Sequence, residues 1–241
     1  MAIFAVSYGS KSAANGNRTQ NAHFVWSTSN SSRIALVNFY DRQVAPRLIN
    51  ALLSLDQFER RRAATTSGLA GTVVEIGFGS GLSVPHYPKE VHQVFAVDPS
   101  EVGKRLAAGR VAHSGVPITY VGLSGENLPL DDASVDHALS TWTLCSIPDA
   151  ERALRELLRV LRPGGSFHFI EHGRSPHPQV ARWQDRLTPV QRRLAGGCHL
   201  NRRIDEMVTS SGFDLVTLSH PVLSGPKVFT YMYEGIAVKP S

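Results

Sequence analysis

The stretch Thr72-Val-Val-Glu-Ile-Gly-Phe-Gly-Ser-Gly-Leu82 reads as a short buried strand running into a glycine-rich turn, with a helix to follow. Gly77, Gly79 and Gly81 alternate with other residues, so side chains are missing where backbone must take φ > 0 or come close to a ligand. Glu75 sits inside the otherwise apolar strand. A carboxylate there is awkward for a core and useful toward a ligand.

Downstream, strand and helix patterns alternate, which implies an α/β fold on a mostly parallel sheet. Strands are expected at 72–77, 93–98, 118–121, 135–140 and 166–171. An amphipathic helix at 149–161 ends at Arg162-Pro-Gly-Gly165, a stop-and-turn signal. Residues 212–218 and 229–238 read as a closing pair of strands. Upstream, Ile34, Val37, Tyr40 and Val44 keep helical spacing, with Ser32 as N-cap. Pro46 opens a second helix, whose stripe is Leu48, Leu52, Leu55 and Phe58 and whose exposed end is Arg60-Arg61-Arg62. Residues 1–32, rich in Ser, Asn, Gly and Thr, are expected to be disordered. The remainder, 33–241, reads as one domain: a helical lid (33–67), a core (68–172), an insertion (173–206) and closing strands (207–241).

The 241 residues are 42% hydrophobic, enough for one sizeable core. Cys145 and Cys198 are the only cysteines, and neither belongs to a CxxC pair. No disulfide framework and no metal is expected; the histidines form no HExxH motif. No apolar run nears the roughly 18 residues that span a bilayer, and Met-Ala-Ile-Phe-Ala-Val lacks the basic start of a signal peptide. A cytoplasmic location is the default expectation. Net charge is +5, too small an excess to signal nucleic acid on its own.

A GxGxG turn alone fits dinucleotide, nucleoside and purely structural readings. Asp98, closing the second strand, suits ribose hydroxyls in either nucleotide reading and does not discriminate between them. No GxxxxGK[ST] is present, so a P-loop is excluded. The order of the later signals narrows the choice: Gly125-Glu-Asn-Leu-Pro-Leu130, Asp132-Ala-Ser-Val-Asp136, then Leu161-Arg-Pro-Gly-Gly165. This series resembles class I S-adenosylmethionine-dependent methyltransferases of the type 11 domain. The resemblance implies a Rossmann-like, mostly parallel seven-stranded sheet with an antiparallel last strand and N-terminal lid helices. It implies that Glu75 and the backbone of Gly77, Gly79 and Gly81 hold the methionine end of S-adenosyl-L-methionine. Asp98 would bind the ribose, Pro99 would lie beside the adenine, and Glu126 and Asn127 would meet its edge. Ser140 and Thr141 would face the sulfonium.

Residues 141–148 follow strand four on the sheet's carboxyl edge, where ligands collect. Trp142, Leu144 and Cys145 read as walls of an acceptor pocket, joined by Trp183. Between 174 and 203 lie seven arginines and one acid, Asp185, either a solvated insertion or an anion-attracting rim. The pairing of Ser140-Thr-Trp-Thr-Leu-Cys-Ser with Glu171-His-Gly and Ala195-Gly-Gly-Cys-His-Leu-Asn-Arg resembles the branch containing the microsomal alkyl-thiol methyltransferases and their soluble bacterial relatives. That branch implies a small thiol acceptor. As a mechanism, His172 or His199 is expected to take its proton, His172 the better placed, with a structural or gating role as the alternative. An aromatic or quinone-like O- or N-acceptor, or cofactor binding without turnover, stays open. Expected partners are the small-molecule acceptor and, weakly, a membrane surface; no nucleic-acid partner or transmembrane segment is expected, and the chain is read as a monomer or homodimer.

Overall fold

The computed structural model describes residues 40–241. The expected disorder of 1–32 and the helix start at Ser32, Ile34 and Val37 fall outside them. Seven strands, β1 (Gly71–Ile76), β2 (Val91–Val97), β3 (Ile118–Gly122), β4 (Val135–Thr141), β5 (Leu161–His172), β6 (Asp214–Ser219) and β7 (Met232–Val238), form one sheet in the order β3-β2-β1-β4-β5-β7-β6. The first five pair in parallel, and β7 runs antiparallel to β5 and β6. The expected antiparallel last strand is therefore present. Helices α3 (Glu101–Ala112) and α4 (Ala150–Val160) supply crossovers within the parallel part. Helices α5 (Pro178–Leu194) and α6 (Ile204–Ser210) lie between β5 and β6. No helix separates β6 from β7, so that pair is free to run antiparallel.

The central strands are sealed on both faces. Val73, Val74, Ile76, Ala138 and Leu139 are fully buried, as a parallel sheet covered by helices requires. Asp149 caps α4 by accepting the Arg152 N–H at 3.0 Å. The helix turns Ala153, Leu154, Leu157 and Val160 into the core. Each buried leucine contributes roughly 1.5–3 kcal/mol. The order reverses between β1 and β4, and at their carboxyl ends lie Gly77 and Thr141. This switch point is where an open α/β sheet presents a crevice.

Three expectations change. The long stripe after Pro46 is two helices, α1 (Ala45–Leu53) and α2 (Asp56–Thr66), after a π-helical turn at Tyr40–Val44. Ser54 turns its hydroxyl back onto the Asn50 carbonyl (2.7 Å), which competes with helix continuation. The break leaves Leu48, Leu52 and Leu55 in solvent, while Phe58 is buried. Arg62 is also no exposed end: it is 1% accessible, bonded to Glu59 at 3.0 Å, with its guanidinium 5.1 Å above the Trp142 ring. Lastly, Arg162–Gly165 are absorbed as a bulge within β5. Leu161 pairs with Val135 and Ser166 with His137, so four residues loop out opposite one.

Candidate active site

Gly77, Gly79 and Gly81 all have positive φ (71°, 53° and 71°). A Cβ on Gly77 would stand 1.9 Å from Thr143 Oγ1, and one on Gly103 of α3 would stand 2.9 Å from the Gly79 carbonyl. The turn is thus clamped between the β4 loop and α3. Gly79 itself has room for one: among the described residues a Cβ there meets nothing nearer than 3.7 Å, an ordinary contact. Asp98 accepts the Gly79 N–H (2.8 Å) and the Ser100 N–H (2.7 Å). Burial pushes its carboxyl up, against the pull of those two N–H groups. Each carboxylate oxygen keeps acceptor capacity toward the crevice. The start of α3 is internally satisfied, with Ser100 Oγ taking the Gly103 N–H at 3.0 Å. Arg110 does reach the turn, donating to the Ser80 carbonyl at 3.0 Å.

Glu75 lies beneath the turn, 1% exposed. Its two oxygens accept the hydroxyls of Ser83 (2.7 Å) and Tyr87. Burial pushes its pKa up to about 7, against those hydrogen bonds and the Arg62 charge. The folded protein therefore holds a proton that the unfolded chain releases near pH 4.5, and Glu75 makes folding less favourable as pH rises from there through 7. We expect Glu75→Gln to remove that dependence. Urea unfolding at pH 5 and pH 8 should show the wild type losing about 2.5 kcal/mol relative to the variant; parallel pH profiles would overturn the assignment.

The β4 carboxyl edge is organised by a residue to which sequence reasoning gave no role. Glu171 on β5 is fully buried. It accepts the Ser140 hydroxyl at 2.7 Å and the N–H groups of Thr143 and Cys145, both at 3.1 Å. The signal was available: like Glu75, Glu171 is a carboxylate in an apolar strand. Ser140 is therefore committed to Glu171 and buried, while Thr141 keeps 8% exposure. Trp142 takes φ 53°, unusual for a bulky residue and a mark of functional edges. Its ring meets Phe58 edge-on at 5.2 Å, joining the lid to the sheet. Pro99 and Asn127 are exposed. Glu126 ties its loop to α4 by accepting the Asp149 N–H at 2.8 Å.

Beyond β4, a cavity of about 650 Å³ is lined by Ser146, Val190, Arg192, Arg193, Gly197 and His199, among others. The Cys145 carbonyl accepts from both the His199 backbone N–H (2.8 Å) and His199 Nδ1 (3.1 Å). A carbonyl only accepts, so Nδ1 carries the proton and Nε2 is left with its lone pair in the neutral ring. Burial, with Arg202 nearby, lowers the His199 pKa. His172 is placed otherwise: its Nδ1 lies 3.4 Å from Cys198 Sγ, and its buried Nε2 has no partner among the described residues. Leu144 is core rather than pocket wall, and Trp183 is 54% exposed beside Arg186. A second cavity of about 570 Å³ lies behind the turn, past Tyr87 and Arg110. Neither cavity is lined by Gly77, Gly79 or Asp98. His168 and His172 have HxxxH spacing, but on extended β5 their Cα atoms sit about 13 Å apart. No group of three or more metal-ligating side chains occurs among the described residues. None of their helices is long and apolar enough to cross a membrane.

The methyltransferase domain family matches residues 74–169. Over 206 residues the chain is 32% identical to human thiol S-methyltransferase TMT1A, covering 83% of this chain and 81% of that protein. It is also 32% identical over 144 residues to demethylmenaquinone methyltransferase of Clavibacter sepedonicus, covering 56% of this chain and 57% of that one. Among solved structures, phosphoethanolamine N-methyltransferase 2 of Haemonchus contortus, in complex with phosphomonomethylethanolamine and S-adenosylhomocysteine, shares the fold (TM-score 0.60, 15% identity, 85% of this chain and 60% of that chain).

Proposed function

We propose, from the premise that this chain belongs to the class I S-adenosylmethionine-dependent methyltransferases, that it uses S-adenosylmethionine to methylate a small thiol. The likeness to a thiol S-methyltransferase across most of both chains supports the acceptor. The observation that carries the reading is His199, a histidine with its pKa lowered and Nε2 without a hydrogen-bond partner among the described residues, on the wall of a cavity that also holds Arg192 and Arg193.

The residues present fit the cofactor. Asp98 keeps acceptor capacity for ribose hydroxyls, Gly79 leaves bare backbone, and the capped start of α3 offers little to a phosphate. When bound, S-adenosylmethionine supplies an electrophilic methyl group. The Gly77–Gly81 backbone, braced from below by Glu75, holds the methionine end. Asp98 takes the ribose, Pro99 lies against the adenine, and Glu126 and Asn127 meet its edge. Thr141 faces the sulfonium, and Ser140 acts by fixing Glu171. His199 Nε2 takes the thiol proton, and Arg192 and Arg193 favour the anion. A thiol of ordinary pKa, about 8.5, needs only modest help. The remaining work is alignment and exclusion of water.

Methyl-labelled S-adenosylmethionine offered with sulfide, alkyl thiols, quinols and amines tests this. Label is expected in thioether; label on oxygen or nitrogen alone would overturn the acceptor. His199→Gln should lower kcat for the thiol about 10²-fold at pH 7. It should also erase the acid limb of the profile, which in the wild type falls below the ordinary histidine range because burial lowers the His199 pKa. An unchanged rate and profile would remove His199 as the base.

A further inference from the structure

We propose that Cys145 and Cys198 form an oxidative modification site, a dithiol that hydrogen peroxide converts into an intrachain disulfide. Cys145 sits in the β4 loop held by Glu171, and Cys198 follows α5. The two are 53 residues apart in sequence, yet their sulfurs face each other at 3.6 Å. Both are buried, at 2% and 8% exposure. Packing alone would account for two buried thiols. It does not account for the imidazole of His172, whose Nδ1 stands 3.4 Å from Cys198 Sγ. Nor does it account for the approach. Ser146, Gly197 and His199 all line the 650 Å³ cavity, so the chain neighbours of both cysteines form its wall. A small oxidant in that cavity is one residue away from either sulfur. With only two cysteines in the chain, no third thiol competes for the bond.

The environment separates the two thiols. The hydrogen bond shared with Cys145, with help from His172, holds the Cys198 thiol below its usual range, and the same contact and burial push Cys145 up. Cys198 is then the attacking thiolate and Cys145 the resolving thiol. The Cys198 sulfur attacks one peroxide oxygen, the O–O bond breaks and the departing oxygen leaves as water, giving a sulfenic acid at Cys198. The Cys145 sulfur attacks Cys198 and displaces hydroxide, which takes the Cys145 proton and leaves as the second water. Two thiols lose two electrons and two protons, and one peroxide becomes two waters. The sulfurs close from 3.6 Å to about 2.05 Å. The bridge fastens the loop carrying His199 to the loop beyond β4.

The full chain, treated with equimolar peroxide, is expected to lose about 2 Da and both titratable thiols together, with dithiothreitol restoring them. Peptide mapping should find Cys145 joined to Cys198. Cys145→Ser should stop at a Cys198 sulfenic acid that dimedone traps. Cys198→Ser should leave Cys145 unmodified, and His172→Asn should slow wild-type disulfide formation at least tenfold. Two thiols still titratable under excess peroxide, sulfinic acid at one cysteine without a bridge, or disulfide-linked dimers would each overturn the proposal. The wild-type mass decides the matter even where a variant fails to fold. The readout needs no methyl acceptor, so it stands or falls apart from the thiol reading.

Discussion

Glu171→Ala is expected to destabilise the protein by about 3–5 kcal/mol and to abolish methyl transfer. The wild-type carboxylate is wholly enclosed and receives one hydroxyl and two backbone N–H groups. Alanine leaves Ser140 and the N–H groups of Thr143 and Cys145 facing a void. Each stranded donor costs about 1–3 kcal/mol, and the void adds a cavity term. The loss should fall on the segment that carries Trp142 and Cys145 and leads into the cavity lined by Ser146. Glu171→Gln keeps the volume but turns an amide NH₂ toward donors, so it should lose less than alanine and more than a surface change. Urea unfolding ranks the three proteins. A cost under about 1 kcal/mol for alanine, typical of surface positions, would mean that Glu171 does not organise the edge.

Gly77→Ala carries the second large effect. Its φ of 71° is strained for any L side chain, and its Cβ would overlap Thr143 Oγ1 at 1.9 Å. Relief requires moving the β4 loop or flattening the turn. We expect about 2–4 kcal/mol of lost stability and at least a tenfold loss of cofactor affinity. Gly79→Ala separates the two consequences. Its φ is 53°, but nothing lies within 3.7 Å of the new Cβ, so the steric part of the stability cost vanishes. The methyl group then stands where the bare backbone is proposed to meet the cofactor, and affinity should still fall. If Gly79→Ala bound normally, the turn would be structural only.

The fold was legible because its signals are local. A buried strand, a turn of three alternating glycines, an acid closing β2 and the helix stop before β5 each follow from backbone sterics and hydrophobic period, and the seven-stranded sheet with its antiparallel last strand followed from the resemblance they carried. The motif Asp132-Ala-Ser-Val-Asp136 was readable as a marker but not in its role. Arg159 ties Asp132 to the Leu128 and Leu130 carbonyls, and Asp136 accepts the Thr72 N–H at 2.8 Å. Asp132 thus fastens the loop before β4 to α4, and Asp136 ties β4 to β1.

The site was legible in part. Glu75 and Asp98 stood out as acids in one strand and at the end of the next, but the Ser83 and Tyr87 hydroxyls that engage Glu75 come from 8 and 12 residues on, with no pattern that pairs them. Arg62 looked like the charged end of a helix, since three arginines in a row normally face water. Only the packing of α2 on the sheet makes one of them a buried partner of Glu59 and Trp142. The preference for His172 over His199 followed sequence position beside β5. The proposal of His199 rests instead on the Cys145 carbonyl that orients its ring, a contact spanning 54 residues. Leu144 turns into the core and Trp183 into solvent, and neither was readable: an aromatic or leucine next to a loop does not say which way it turns.

Calorimetric titration of the full chain with S-adenosylhomocysteine, in parallel with Asp98→Asn, tests the cofactor site on which the rest depends. One site per chain is predicted, with affinity falling at least tenfold in the variant, because the lost carboxylate charge weakens its bonds to the ribose hydroxyls. No binding by the wild type, or equal affinity in both proteins, would contradict the placement of the cofactor at Gly77–Gly81 and Asp98.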